Sequence, residues 1–205
     1  MEPKWIEWAQ RLQAIAQTGL VFTKNPFEQE RYEQVREIAV EIMSAHSELS
    51  IDPIRDLFAD QAGYATPKVD VRGVVFRDET ILLVKERRDG RWTLPGGWAD
   101  VNDSPAEATV REVHEESGYR VRASKLLACY DRNKHGHPPF AFHIYKLFFQ
   151  CELLGGAPAS SIETDGVGWF REDDIPQLSL PRVTPEQIKR FFDHLRHPKW
   201  PTDFD

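Results

Sequence analysis

The sequence is poor in the features that mark exported, membrane-spanning or nucleic-acid-coating proteins. It has only two cysteines, Cys129 and Cys151, and they form no close-spaced pattern of metal ligands. Both lie in segments typical of apolar strands, so we expect buried free thiols in a reducing compartment rather than a disulfide. No apolar run approaches the length of a membrane span, and the N-terminus "MEPKWIEWAQ" lacks the basic start and apolar core of a signal peptide. These deficits predict a cytoplasmic protein.

Positive charge is also scarce, because 26 Lys and Arg residues stand against 33 Asp and Glu residues and give a net charge of -7. A protein that binds long nucleic acids normally carries a basic surface, so we expect no such partner, and we expect no membrane. A nucleotide substrate stays open, since one bound metal or one arginine can reverse the sign of a pocket. A hydrophobic content of 40% is typical of a folded globular protein.

Apolar residues change their spacing once along the chain, near residues 60–68. Before that point they recur at helical intervals in two stripes. The first consists of Trp5, Trp8, Leu12, Ile15, Ala16 and Leu20, and the second of Tyr32, Val35, Ile38, Ala39 and Ile42. After it, strand-like segments alternate with two helical patterns, at about residues 105–117 and 184–196. The sequence therefore predicts a helical domain over residues 1–65 and an α/β domain over residues 66–205.

The segment "REVHEESG", from Arg111 to Gly118, crowds three carboxylates into eight residues. Upstream, Ser104 and Glu107 form the pattern of a capping box, and Gly118 has the position of a left-handed C-terminal residue, so the segment should end a helix. On a helical wheel the three glutamates share an arc of about 100°, directed away from the core. They are Glu112, Glu115 and Glu116.

An acidic arc of this kind is ordinarily a solvated helix face, and that alternative is the simplest one. However, carboxylates in the last turn of a helix oppose its macrodipole. The preceding "LPGGW" supplies a flexible backbone whose carbonyls can approach a cation closely. Arg111 lies on the same side of the wheel, where it can hold one carboxylate in a fixed rotamer. Together these features predict a site for a divalent cation.

The longer segment "GWADVNDSPAEATVREVHEESGY", residues 97–119, resembles the signature of the Nudix hydrolases. The matching residues are Gly97, Arg111, Glu112, Val113, Glu115, Glu116 and Gly118. Asp103 departs from the family pattern, which has a glutamate there. The resemblance implies an α/β/α sandwich with a mixed sheet from about Lys68 onward, preceded by the small helical domain.

The resemblance also implies the chemistry, which is water attack on the pyrophosphate of a nucleoside diphosphate linked to another moiety, assisted by Mg²⁺ or Mn²⁺. Glu112 and Glu116 would be the principal ligands, with Glu115 as a direct or water-mediated ligand and the Gly96 carbonyl completing the site. Arg111 would orient a glutamate. The general base would be Glu163, with Asp165 or a carboxylate of the Nudix signature as alternatives.

Substrate specificity is expected outside this signature, in the segment "DRNKHGHPPFAFHIYKLFF". We assign substrate binding to Arg72, Arg132, Lys134, His135 and His137. A basic surface hairpin is the ordinary alternative. This segment, the N-terminal helices and the region around Arg182 resemble a Nudix subgroup that includes CDP-choline pyrophosphatases and proteins labelled ADP-ribose pyrophosphatases.

That subgroup implies CDP-choline as the favoured substrate and ADP-ribose as the next. Two alternatives remain, a regulator that binds a nucleotide without cleaving it and a hydrolase that acts on RNA ends. We also expect a homodimer, because two short helical stripes are marginally stable alone and large aromatics such as Trp5 and Trp8 suit a two-fold interface.

Overall fold

The structure is a computed structural model that describes residues 3–47 and 50–205. The chain divides into two compact units. The first comprises residues up to 67 together with Pro139–His143, and the second comprises Lys68–Pro138 and Ile144–Asp205. Part of the predicted substrate segment therefore belongs to the helical unit. No helix in the described ranges is long and apolar enough to cross a membrane.

In the described part of the helical unit there are three helices, α1 (Lys4–Phe22), α2 (Pro26–Ala45) and α3 (Ile51–Ala59). The side chain of Asn25 caps α2 by accepting a hydrogen bond from the backbone of Phe27, and Pro26 follows at the first helical position. All three helices contribute to one apolar core. Its buried residues are Ile6, Ala9, Ala39, Val40, Met43, Ile54 and Phe58, and Ala141 from the second segment packs against them.

The first apolar stripe is only partly buried within the helical unit, because Ala16 is buried and Trp5, Leu12 and Leu20 are partly buried, whereas Trp8 and Ile15 are exposed. The buried positions follow the spacing of Ile6, Ala9 and Ala16, and Trp5 packs beside them while stacking on His46. A second line of apolar residues with a seven-residue spacing lies on the other side of the helix and is exposed. It consists of Trp8, Ile15 and Phe22, which are 53%, 54% and 69% exposed.

The second unit is built on a mixed sheet. Its strands are β1 (Lys68–Arg77), β2 (Thr80–Glu86), β3 (Trp92–Thr93), β4 (Gly96–Trp98), β5 (Tyr119–Asp131), β6 (Ile144–Gly156), β7 (Thr164–Arg171) and β8 (Asp203–Phe204). The sheet order is β3-β2-β1-β6-β5-β8, with β4 also paired to β1 and β7 to β2. The β1/β6 and β5/β8 pairs are parallel and the others antiparallel.

One helix covers each face of this sheet, α4 (Pro105–Ser117) and α5 (Pro185–Arg196). Successive residues of β1 show the division, because Val74 packs in the core that includes Phe191 of α5, whereas Val75 packs with Val113 of α4. The expected α/β/α sandwich with a mixed sheet, preceded by a helical region, is therefore confirmed. The two cysteines are free thiols, as expected, but only Cys151 is buried, and the expected burial is wrong for the partly buried Cys129.

The ends of α4 are those expected from the sequence. Ser104 and Glu107 form both hydrogen bonds of the capping box, and Pro105 is the first helical residue. Gly118 ends the helix with a left-handed φ of 76°. These two ends fix the register of the helix, and therefore the directions in which its glutamates point.

Candidate active site

Glu116 lies at the centre of the site and is almost completely buried, with 5% of its surface exposed. Its Oε2 atom accepts a hydrogen bond from the backbone N–H of Gly96 at 2.8 Å. Burial raises the pKa of Glu116 to about 7, with the nearby Arg72 acting in the opposite direction and the carboxylates of Glu86 and Glu112 adding to the rise. The expectation that all three glutamates face away from the core is thus wrong for Glu116, because the backbone of β4 covers it.

Glu112 and Glu115 are both held by Arg111. The Nη1 atom of Arg111 donates to Glu112 Oε1 at 2.8 Å and to Glu115 Oε2 at 3.1 Å. Glu112 is the more buried of the two glutamates, and burial raises its pKa while Arg111 opposes the rise. On its other side Arg111 contacts two aspartates, Asp103 through Nε at 3.1 Å and Asp100 through Nη2 at 3.0 Å.

The two glycines of β4 allow the backbone to approach these carboxylates. A Cβ atom on Gly97 would lie 3.0 Å from Glu112 Oε2, and a Cβ on Gly96, whose φ is 143°, would collide with the carbonyl oxygen of Val71. Gly96 also pairs with Arg72 across β1 and β4. A larger residue at Gly97 would press against Glu112 of the helix, whereas one at Gly96 would press against β1.

This donor set suits a hard divalent cation. It consists of carboxylate oxygens and a glycine backbone, with no thiol or imidazole. Within residues 3–47 and 50–205, no three Asp, Glu, His or Cys side chains converge closely enough to hold a metal ion as they stand. The contacts give the reason, since Glu112 and Glu115 share Arg111 and Glu116 faces the Gly96 N–H.

The two acids considered as general base outside the signature lie where the segment that joins β6 to β7 enters β7. Thr164 connects this segment to α4, because its hydroxyl donates to the backbone carbonyl of Glu116 at 2.8 Å. Glu163 precedes it and is exposed, with its N–H bonded to the Ser161 hydroxyl at 3.1 Å. Its carboxylate is a minor contributor to the raised pKa of the buried Glu86. Asp165 is exposed in β7.

The five residues assigned to substrate binding occupy different environments. Arg72 and Arg132 are buried, and Lys134 is exposed. His135 stacks on Tyr130 and contacts the carboxylate of Asp205 at 2.9 Å. The structure therefore does not gather these side chains on one free surface.

His137 is buried in a defined hydrogen-bonding environment. Its Nδ1 faces the carbonyl of Leu180 at 2.7 Å, and its Nε2 faces the side-chain amide nitrogen of Gln187 at 3.1 Å. Because a carbonyl accepts and an amide nitrogen donates, the ring is neutral with its proton on Nδ1. Burial lowers the pKa of His137 to about 3, in agreement with a neutral ring.

A buried charge network under the site was missing from the sequence-based interpretation. Asp70 binds Arg72 through Nε at 2.8 Å and Nη2 at 2.9 Å, and it binds Lys146 through both oxygens at 3.0 Å. Burial alone would raise the pKa of Asp70, but the two cations lower it to about 2. Two opposite charges at alternate positions of the apolar segment "VDVRGVV" were the available signal, since alternate residues of a strand share a face.

Glu86, at the end of β2, is a second buried carboxylate that the sequence did not single out. It forms an ion pair with Arg182 at 2.7 Å, and burial raises its pKa while Arg182 and Arg72 oppose the rise. Arg182 also donates to the hydroxyl of Ser179 at 3.0 Å. This pair connects the sheet to the loop before α5, the region around Arg182 that the sequence had indicated.

The fold and the site together define a class of enzyme in which a capped helix carries a glutamate cluster against a glycine strand of an α/β/α sandwich. The comparisons with known proteins agree. Residues 66–195 match the NUDIX domain, and residues 3–58 match a family described as "UDP-X-like, N-terminal oligomerisation domain".

Two of the following three similar proteins span nearly the whole chain. The Bacillus subtilis protein YjhB, provisionally named an ADP-ribose pyrophosphatase, is 48% identical over 205 residues, which are 100% of this chain and 99% of that protein. A crystal structure of an ADP-ribose pyrophosphatase from Streptococcus suis is 41% identical with a TM-score of 0.63, over 68% of this chain and 100% of that one. A crystal structure of a UDP-X diphosphatase is 34% identical with a TM-score of 0.64, over 98% of each chain.

The chain therefore belongs to the Nudix family and is a Nudix hydrolase, a pyrophosphatase with an N-terminal helical region. The resemblance found in residues 97–119 is confirmed. Hydrolases of this family generally work with divalent metal ions.

Proposed function

We propose that the protein hydrolyses the pyrophosphate bond of a nucleoside diphosphate linked to another moiety and releases a nucleoside monophosphate, with Mg²⁺ or Mn²⁺ as cofactor. The observation that carries this proposal is the convergence of Glu112 and Glu116 on the glycine strand beside Arg72. Oxygen-only donors of this kind select hard cations.

The residues of the site take complementary roles in this reaction. Glu112, Glu116 and the Gly96 carbonyl would hold the cation, with Glu115 as a direct or water-mediated ligand and Arg111 orienting the two glutamates that it contacts. When bound, the cation would supply positive charge that stabilises the leaving phosphate. Glu163 removes a proton from the attacking water, whose oxygen bonds to one phosphorus as the bridging P–O bond breaks. The products are the nucleoside monophosphate and the phosphorylated second moiety.

CDP-choline is our first candidate substrate and ADP-ribose the second. The names of YjhB and of the Streptococcus suis structure support ADP-ribose. The UDP-X diphosphatase structure adds UDP-linked compounds to the candidates. The residues assigned to base and phosphate contacts remain Arg72, Arg132, Lys134, His135 and His137.

A substrate panel tests this proposal. CDP-choline, ADP-ribose and a UDP-sugar are each incubated with the protein and Mg²⁺, Mn²⁺ or EDTA, and the nucleotides are separated by chromatography. We expect monophosphate release with either metal and none in EDTA, with the highest kcat/KM for CDP-choline. Failure to cleave every compound with both metals would contradict the proposal.

The role of Glu163 can be tested in the same assay. Glu163→Gln should lower kcat by about 10²- to 10⁴-fold, because it removes the proton acceptor while leaving the ligands of the cation in place. Asp165→Asn is the matched control, since it makes the equivalent change at the other exposed acid of this segment. The opposite ranking of the two variants would assign the base to Asp165.

We further propose a homodimer formed through the exposed line of α1, which consists of Trp8, Ile15 and Phe22. These apolar side chains lie opposite the buried face of their own helix, so a second copy can cover them without disturbing the core. The family description of residues 3–58 as an oligomerisation domain supports this proposal. Trp5 packs inside its own unit, so it contributes less than the sequence had suggested.

Light scattering on the full chain tests the dimer. We expect Ile15→Glu to convert the dimer to a monomer without unfolding it, because position 15 is exposed. Gln29→Glu, which adds the same charge at an exposed position of α2, is the control. A wild-type monomer, or a dimer that survives Ile15→Glu, would contradict this interface.

A further inference from the structure

Arg111 presents two separate edges to carboxylates. Nη1 faces the glutamates, at 2.8 Å from Glu112 and 3.1 Å from Glu115. Nε donates to Asp103 at 3.1 Å, and Nη2 lies 3.0 Å from Asp100. One guanidinium is therefore shared by four carboxylates, two of which belong to the proposed cation site and two of which do not.

A turn brings the two aspartates together. The N–H of Asp103 donates to the carbonyl of Asp100 at 3.3 Å, and Asn102 between them has a left-handed φ of 76°, which asparagine tolerates better than most residues. Asp103 then leads directly into the capping box of α4. The backbone thus fixes both carboxylates on the same edge of Arg111.

The contact with Asp100 has room to strengthen. Nη2 of Arg111 is buried and has no aligned hydrogen-bond acceptor among the described residues, although Asp100 Oδ2 is at ion-pair distance. A small movement of the guanidinium toward the aspartates would align this contact. The same movement would loosen the contacts of Nη1 with the glutamates.

We propose that Asp100 and Asp103 are positioning residues for the cation site. The two aspartates hold the guanidinium of Arg111 in place when Arg111 releases Glu112 to a divalent cation. A cation that takes the Glu112 oxygen competes with Nη1 for it. With the aspartates present, Arg111 keeps two carboxylate partners after the exchange. Without the aspartates, the glutamates are the remaining carboxylate partners of Arg111. The metal ion must then displace a guanidinium that is bound more tightly to Glu112. The inference rests on the proposed metal-dependent function.

A double-mutant cycle on Mn²⁺ affinity tests this role without measuring turnover. Mn²⁺ binding to the substrate-free full chain is measured by calorimetry for wild type, Arg111→Gln, the paired variant Asp100→Asn with Asp103→Asn, and the combination of all three. We expect the paired variant to weaken affinity about tenfold in wild type, and about twofold or less when Arg111 is Gln. Asp103→Glu alone keeps the charge and should bind within about twofold of wild type.

Two controls separate this effect from loss of negative charge. Asp78→Asn removes one charge from an exposed turn with a left-handed φ of 47° that asparagine accepts, and it should leave affinity unchanged. A contact that acts through Arg111 should keep its effect at high salt, whereas a through-space effect is screened at about 0.5 M KCl. This salt test also holds if Arg111→Gln does not fold.

Equal weakening by the paired variant in both backgrounds, or an effect that salt abolishes, would overturn the positioning role and leave the proposed function standing. Absence of Mn²⁺ binding by the wild type would overturn both.

Discussion

Replacing Glu116 by glutamine should stabilise the substrate-free protein while abolishing its activity. An unfolded glutamate ionises near 4.5, whereas burial raises the pKa of Glu116 to about 7. Between these values the native state holds a proton that the unfolded state releases, so stability falls as pH rises. At about 1.4 kcal/mol for each pH unit between the two values, the ionised carboxylate lowers the free energy of unfolding by about 3 kcal/mol above pH 7.

Glutamine removes this penalty because it never ionises. It also keeps an oxygen that can accept the Gly96 N–H bond, which in wild type is 2.8 Å long. Glu116→Gln should therefore unfold with a free energy about 3 kcal/mol above wild type at pH 8, and close to wild type at pH 4.5. Urea unfolding at pH 4.5, 6, 7 and 8 in the presence of EDTA measures the difference.

The pH dependence is the decisive part of this experiment. A new unsatisfied amide proton would lower the stability of the glutamine variant equally at every pH, so it cannot imitate the expected slope. Glu115→Gln is the control, because the same change at an exposed carboxylate should alter stability by less than about 0.5 kcal/mol. A difference between wild type and Glu116→Gln that is the same at pH 4.5 and pH 8 would refute the reasoning.

Three further predictions concern the surroundings of the site. Gly97→Ala should reduce kcat about tenfold or more with little loss of stability, because its Cβ would lie 3.0 Å from Glu112 Oε2 and displace that carboxylate. Steady-state kinetics measures the change in kcat, and a thermal melt measures the change in stability. Asp70→Asn should lower the free energy of unfolding by about 3 to 5 kcal/mol, since it leaves Arg72 and Lys146 buried without their carboxylate. A loss of less than about 1 kcal/mol in urea unfolding would contradict the stabilising role of this network. Because the pKa of His137 falls from 6.5 to about 3 on folding, the unfolded state binds a proton that the native state excludes, so His137 should lower stability as pH drops from 6.5 toward 3. When the His137→Gln variant and wild type are compared by urea unfolding, the variant should lose less unfolding free energy over that pH range.

Local signals explain which parts of the fold could be predicted. The ends of α4 depend on contacts within a few residues, so Ser104, Glu107 and Gly118 were sufficient to predict them from the sequence. The sandwich was implied by the resemblance to the Nudix signature, and the alternation of strand and helix patterns predicted an α/β domain.

Contacts between distant segments explain what was missed. A helical wheel shows that Glu116 lies beside the other glutamates, but it cannot show that Gly96 of β4, twenty residues upstream, covers it. The same limit applies to α1, where periodicity could not distinguish the apolar line that packs inside from the line that stays exposed. The segment Pro139–His143 joins the helical unit through contacts such as Gln10 Nε2 to the Phe140 carbonyl at 3.0 Å, which span 130 residues.

The central claim is that the glutamates of the Nudix signature hold a divalent cation that the protein uses to cleave a pyrophosphate bond. The most direct test compares wild type, Glu116→Gln and Glu115→Gln in one assay of monophosphate release from CDP-choline and ADP-ribose, with Mn²⁺, Mg²⁺ or EDTA. We expect metal-dependent release by wild type, a loss of about 10³-fold or more in Glu116→Gln, and a smaller loss in Glu115→Gln, because the buried glutamate has the more direct role. Hydrolysis by Glu116→Gln within about threefold of wild type, or release that persists in EDTA, would contradict the account.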